Sequence, residues 1–327
     1  MRVFAASLAA LALASAMTAC LIAYSDYDNR FQATESTGND AGDASAGATI
    51  VTEDASVLSL AVTDAQIFYG VGGVIKAANL DGTNASVWWP GTGTGTVDAI
   101  VTDGSAWIAW TSGNRLWKSS TSSSSAAATV PDVTIGSYPK LAADATHFAW
   151  ILEGQGPVGG VQTWSDGTTT LLTASQSAAT HDVAVDQLGV TILGSAPLGV
   201  ARFAFDGGES CTVGAGIASN TTALHAIATG SAGTPFYAIS SASPNPLYDR
   251  ASPCDPQSTA TSGPSASGVA SDGVGFYWLT QDLEVCGPAL DASSCAQLVG
   301  GAPLAMAVDA SHVYVALGSA IVRAPKP

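Results

Sequence analysis

One motif recurs seven times along this chain: a short apolar strand, an Asp, two or three turn residues, then a second apolar or aromatic strand. The marker residues are Asp64, Asp103, Asp144, Asp186, Gly230 in the place of an Asp, Asp272 and Asp309, with spacings of 39, 41, 42, 44, 42 and 37. A period near forty is the mark of stacked four-stranded sheets. The spacing therefore predicts an all-β chain, a seven-bladed β-propeller of four-stranded antiparallel blades. Gly and Pro supply 50 of the 327 residues and long helical patterns are missing, which agrees. Such a fold spreads its core between neighbouring blades and removes exposed sheet edges by closing into a ring.

Within each repeat the Asp ends the innermost strand and the aromatic segment forms the second. A third strand follows, as at Val74-Ile75-Lys76-Ala77 or Arg115-Leu116-Trp117-Lys118. Turns such as Leu80-Asp81-Gly82-Thr83 and Phe205-Asp206-Gly207-Gly208 then lead to an outer strand, as Asp-Gly pairs do in hairpins. The last repeat stops after its third strand at Pro325-Lys326-Pro327. Thr49-Ile50-Val51-Thr52, lying ahead of the first inner strand, is expected to complete that blade and close the ring.

The first residues do not belong to this pattern. Arg2, an apolar run from Val3 to about Ala16 and then Met17-Thr18-Ala19-Cys20 form an export signal too short to span a bilayer. The final four residues resemble the lipobox of bacterial lipoproteins, which implies cleavage before Cys20 and acylation of its sulfur. Each buried methylene of such an anchor contributes about 0.8 kcal/mol, so release from the membrane is slow. Leu21 after the Cys, by likeness to enterobacterial sorting, favours the outer membrane. Residues 21–47 lack apolar periodicity and read as a disordered tether. The expected organisation is thus a signal peptide over 1–19, the acylated Cys and tether over 20–47, and the propeller over 48–327.

The V-x-D-x-x-x-V-Y-W pattern, followed by a strand and an L-D-G turn, resembles the YWTD and NHL-type propellers over most of residues 48–327. Phe276-Tyr277-Trp278-Leu279 is the nearest approach and Val190-Thr191-Ile192-Leu193 the most distant. The resemblance implies the fold. Such propellers include binding modules, lyases and hydrolases, so it does not assign an activity.

The repeated Asp is expected to accept backbone N–H bonds in the turn between first and second strands. One carboxylate per blade makes no calcium cage. With Cys20 set aside, Cys211, Cys254, Cys286 and Cys295 are an even set in an exported domain, which is the count of a disulfide framework with three pairings. Cys286 and Cys295 flank a short turn in the sixth blade and are placed to staple its outer hairpin. The spacings fit no common zinc finger.

Five residues ahead of each marker, at the entrance to each inner strand, stand Ser59, Asp98, Pro139, His181, His225, Ser267 and Leu304. His181 and His225 come from adjacent blades, with Lys140 and Asp182 one position further along. Two imidazoles and a carboxylate at a channel mouth suit a divalent metal or acid-base work; the alternative is a wet channel lining. His147 and His312, each three residues past an Asp, read as exposed turn residues. Trp88 and Trp89 are consecutive, so in a regular strand one faces outward, where it can stack on a sugar or pack between blades.

The chain has 10 basic and 26 acidic side chains, and loss of Arg2 with the leader leaves 9 against 26, a net charge of −17. Such a surface repels nucleic acid and anionic lipid headgroups. Neither a phosphate loop, a Gly-x-Ser-x-Gly elbow nor a His-Glu-x-x-His motif is present, and no cofactor is called for beyond a divalent metal at the channel mouth. The sequence reading is a monomeric, lipid-anchored propeller of the bacterial cell envelope that recognises a protein, peptide or glycan, with a metal-dependent lyase or hydrolase as the alternative.

Overall fold

The computed structural model describes residues 49–327 except 53, 55, 94, 114, 135–138, 153–157, 166, 174–179, 195–198, 214–222, 230–234, 241–246, 250–258, 261–265, 273–274, 281, 288–294 and 299–302. Cys20, the tether, Gly230 and Cys254 lie outside the described residues.

Among the described residues the strands form seven four-stranded antiparallel sheets, but only six are self-contained, each built from four consecutive strands. Seven repeats therefore do not give seven uninterrupted blades. The remaining sheet joins Ala305–Val308, His312–Ala316 and Ile321–Pro325 from the end of the chain to Thr49–Thr52 from its beginning. Thr49 pairs with Arg323, Ile50 with Val322 and Thr52 with Ile321, so the early segment is the outer strand of the last sheet.

The inner strands are Val57–Val62, Val97–Thr102, Pro139–Ala143, Thr180–Asp186, Ala223–Thr229, Ala266–Ser271 and Ala305–Val308. Each packs against the next, and the last packs against the first. The core lies between blades, as the repeat architecture requires. Val51, Leu60 and Tyr69 bury against Tyr314 and Ile321 across the closing seam, while Phe68 and Ile75 bury against Ile108 and Trp110 in the next joint.

Backbone bonds tie successive blades as well. Val57 N–H donates to Gly318 O and Val97 N–H to Gly72 O, both at 2.8 Å, so the turn between second and third strands of one blade holds the first residue of the next inner strand. Asp64 N–H reaches Gly104 O in the neighbouring turn at 2.9 Å. Gly82 shows why the L-D-G turn needs its glycine. Its φ is +83°, and a Cβ there would stand 1.7 Å from the Val51 carbonyl oxygen of the closing strand.

The Asp turns are built as the sequence implied. Asp103 Oδ1 accepts the N–H groups of Ser105, Ala106 and Trp107 at 2.8 to 2.9 Å. Asp144 accepts from Thr146 and His147, Asp186 from Leu188, Asp272 from Gly275, and Asp309 from Ser311 and His312. The first blade differs. There Thr63 Oγ1 takes the N–H groups of Ala65 and Gln66, and Asp64 is exposed.

Cys286 and Cys295 are disulfide-bonded directly across the outer hairpin of the sixth blade, and Cys211 is also in a disulfide.

Candidate functional site

The inner strands surround a central cavity of about 610 Å³. Apolar residues such as Ile100, Leu141 and Val269 form its wall, and five carboxylates, Asp103, Asp144, Asp182, Asp186 and Asp272, also line it. Four of these are marker residues, so the cavity reaches toward the Asp-turn end of the channel. The candidate residues His181, His225, Asp98, Lys140 and Asp182 belong to the entrance end instead, and of these Asp182 is in the lining.

Each lining carboxylate is engaged by the protein through at least one oxygen, although Asp144 Oδ2 is buried without a partner. Asp186 is buried at 7% exposure and receives both arms of Arg202, itself 5% exposed, with Nη1 2.8 Å from Oδ2. Arg202 Nη1 also donates to Thr191 Oγ1 at 2.7 Å. Asp272 Oδ2 binds the Lys326 ammonium, which lies 5.0 Å from the centre of the Tyr277 ring. Asp182 accepts the N–H of Val183 at 2.9 Å.

At the entrance end the backbone has a feature that the sequence did not disclose. Pairing skips one residue near the start of several inner strands: the register shifts between Thr180 and Asp182, between Leu224 and Ala226, and between Ala266 and Gly268. His181, His225 and Ser267 are therefore bulge residues, and the same irregularity covers Asp98 and Ala99 in the second blade. A bulge turns a residue out of the ladder's alternation and re-aims it, which is why bulges gather near binding sites. His181 and His225 occupy equivalent bulges on adjacent inner strands. Asp98 is exposed and accepts from Thr96 Oγ1. Lys140 is half-buried on its inner strand opposite Ile151.

Two expectations about side chains need correction. Trp88 and Trp89 both face the second blade: Trp88 packs edge-on against Phe68 and Trp110, and Trp89 against Trp110 and Trp117. The cause is a bulge, since Ile75 pairs with Trp89 while Lys76 pairs with Val87, so Trp88 leaves the alternation. His147 is not a free turn residue either. Its ring stacks on Phe205 of the next blade at 3.6 Å, and Nδ1 lies 2.7 Å from Thr146 Oγ1.

Basic residues on third strands form a pattern that sequence reasoning missed although the repeat displays it. Lys76 binds Asp54 at 2.6 Å. Lys118 donates to the carbonyls of Thr163 and Trp164 in the third blade, with the Trp107 ring 4.9 Å away. Arg323 donates to Leu80 O of the first blade at 2.9 Å. These cations join one blade to the next, so much of the sparse positive charge is committed inside the ring.

Two carboxyls at the closing seam are held below their usual range. Burial pushes Asp309 up, but the Ser311 N–H, the Tyr314 hydroxyl at 2.8 Å and the His312 N–H outweigh it. Burial likewise opposes ionisation of Asp54, and the Lys76 ammonium and Tyr69 hydroxyl overcome it. Burial, with the Asp54 carboxylate against it, pushes Tyr69 up to about 12. Depressed carboxyls add stability that is fully present above the unfolded value of about 3.9 and is lost as pH falls through the folded values. The melting temperature should therefore fall steeply below about pH 4, and Asp309→Asn should lose less over that interval than the wild type in a calorimetric pH series.

Comparison with solved structures follows the ring as a whole. A streptogramin B lyase superposes with a TM-score of 0.67 at 13% identity, over 84% of this chain and 96% of the lyase. A virginiamycin B lyase from Staphylococcus aureus gives a TM-score of 0.67 at 11% identity, over 86% of this chain and 98% of that one. The fold is a β-propeller. An extracellular domain of a one-component system from B. thetaiotaomicron shares it, with a TM-score of 0.63 at 10% identity over 85% of this chain and 40% of that one. No family profile and no curated protein matches the sequence, so the YWTD and NHL likeness remains one of pattern. At identities this low the propeller likeness carries the fold alone.

Proposed function

We propose that this chain is an exported, lipid-anchored propeller of the cell envelope that acts as a recognition module, taking a protein, peptide or glycan at its central channel. The observation that carries this reading is the state of the channel wall. Each of its lining carboxylates is engaged through at least one oxygen by backbone N–H groups, by Arg202 or by Lys326, with Asp144 Oδ2 alone among the described residues of the lining buried and unpartnered, so the cavity offers shape and negative potential more than a poised acid–base pair. The disulfides support export, since such bonds persist in oxidising compartments.

A second reading, a metal-dependent lyase or hydrolase, is favoured by the two equivalent bulges that carry His181 and His225 on neighbouring inner strands. Elemental analysis separates the two. Protein expressed without its leader and Cys20, then dialysed against a solution of magnesium, manganese and zinc at equal concentration, is expected to retain no stoichiometric metal. His181→Ala and His225→Ala are expected to leave its melting temperature unchanged in that mixture. One metal per chain, lost in either variant, would replace the recognition reading with the enzymatic one.

A further inference from the structure

The outer hairpin of the sixth blade holds more than a staple requires. Cys286 on Glu284–Cys286 stands directly across from Cys295 on Cys295–Gln297. Glu284 lies two residues before Cys286, and alternation along a strand puts both on one face. One carboxylate oxygen of Glu284 and the two sulfurs all lie within 4.8 Å of one another. Cys286 is fully buried and Cys295 is exposed. A disulfide needs no carboxylate beside it, whereas two thiolates and a carboxylate on one face are the donor set of a thiophilic cation.

We infer that this hairpin is a redox-masked metal site, in which reduction of the Cys286–Cys295 bond frees two thiolates that bind one zinc ion together with Glu284. The reductant is a dithiol. Its thiolate attacks the accessible sulfur of Cys295, the S–S bond breaks, and Cys286 leaves as a thiolate. The second thiol of the reductant then resolves the mixed disulfide and departs as a cyclic disulfide, so two electrons and two protons pass to the cysteine pair. Zinc binding afterwards releases the two thiol protons.

Zinc–sulfur bonds of about 2.3 Å at a tetrahedral angle set the sulfurs about 3.8 Å apart. Side-chain rotation in a directly opposed pair supplies that separation without moving the hairpin. Glu284 is the third ligand, and the fourth position opens toward solvent on the Cys295 side. Without a cation the reduced pair stays as two thiols beside Glu284, which exchange with a small-molecule disulfide returns to the S–S bond while that disulfide is reduced. Zinc therefore holds the hairpin reduced, and the disulfide excludes zinc.

The test uses the full chain, reduced with dithiothreitol and desalted without oxygen. It is then titrated with cobalt(II) as a coloured stand-in and with zinc against a chromophoric chelator. The reduced protein is expected to bind one cobalt with a thiolate charge-transfer band, and the oxidised protein none. The band should vanish in C286S/C295S, which keeps Cys211 and Cys254. Glu284→Gln should keep the band but bind zinc about tenfold more weakly. Metal held by an unfolded reduced chain would be indifferent to Glu284, so equal affinity in Glu284→Gln overturns the assignment. So does a band that survives in C286S/C295S, or a reduced wild type that shows none.

Discussion

Removal of residues 48–53 will lower the melting temperature of the entire propeller domain by about 10–15 °C, in a single transition. The truncation deletes the outer strand of the closing sheet, and with it the ladder to Ile321–Pro325 and the burial of Val51 among Tyr69, Tyr314 and Ile321. Burying one Val contributes about 1.5–3 kcal/mol, and a few ladder hydrogen bonds add about 1 kcal/mol each. The sum is about 5 kcal/mol, and for a domain of this size each kcal/mol moves the midpoint by about 2–3 °C. The loss is not confined to one edge, because the last inner strand packs against both the sixth and the first. Differential scanning calorimetry of the truncated chain checks the result. An unchanged midpoint, or an early separate transition for the last blade alone, would show that the early strand does not close the ring.

The parts of this architecture that were legible in the sequence are those fixed by local chemistry. A turn that brings one to three N–H groups onto one oxygen needs a short acceptor at a set place, so Asp103, Asp144, Asp186, Asp272 and Asp309 recur and their spacing counts the repeats. The missing outer strand was legible for the same reason, since an unfilled fourth position must be completed from elsewhere. Cys286 and Cys295 could be paired because nine residues and a turn bring them face to face.

What stayed hidden depends on how blades meet. The bulges at His181 and His225 come from fitting inner strands around a ring, and no residue type announces them. The bulge that turns Trp88 toward Phe68 likewise cancels an inference from strict alternation. In the first blade Thr63 performs the task expected of Asp64, a swap invisible to a search for carboxylates. By contrast, the basic residue on third strands was on view at Lys76, Lys118, Arg202 and Arg323. A total of the charges hides it, because the pattern lies in position along the repeat.

The second large effect follows from the most buried of those cations. Arg202→Met will destabilise the domain by about 3–5 kcal/mol, because it leaves the Asp186 carboxylate 7% exposed with no counter-charge. Methionine fills much of the arginine's volume, so the loss reads the charge and not a cavity. Arg202→Lys will recover only part of it, since an ammonium cannot make the two-armed contact with Asp186 and also reach Thr191. Replacing both partners, as in Arg202→Met with Asp186→Asn, will restore most of the stability. A buried pair is expensive to break but not to replace, and the Asn oxygen still accepts the Leu188 N–H. Urea unfolding of these proteins together with Asp186→Asn alone completes the double-mutant cycle and measures the coupling. A double variant as unstable as the single would mean that Arg202 acts by packing against the channel wall. The expected recovery would instead make the Arg202–Asp186 pair a device for holding that turn beside the cavity, where Asp186 is both a strut of the fourth blade and part of the surface a ligand meets.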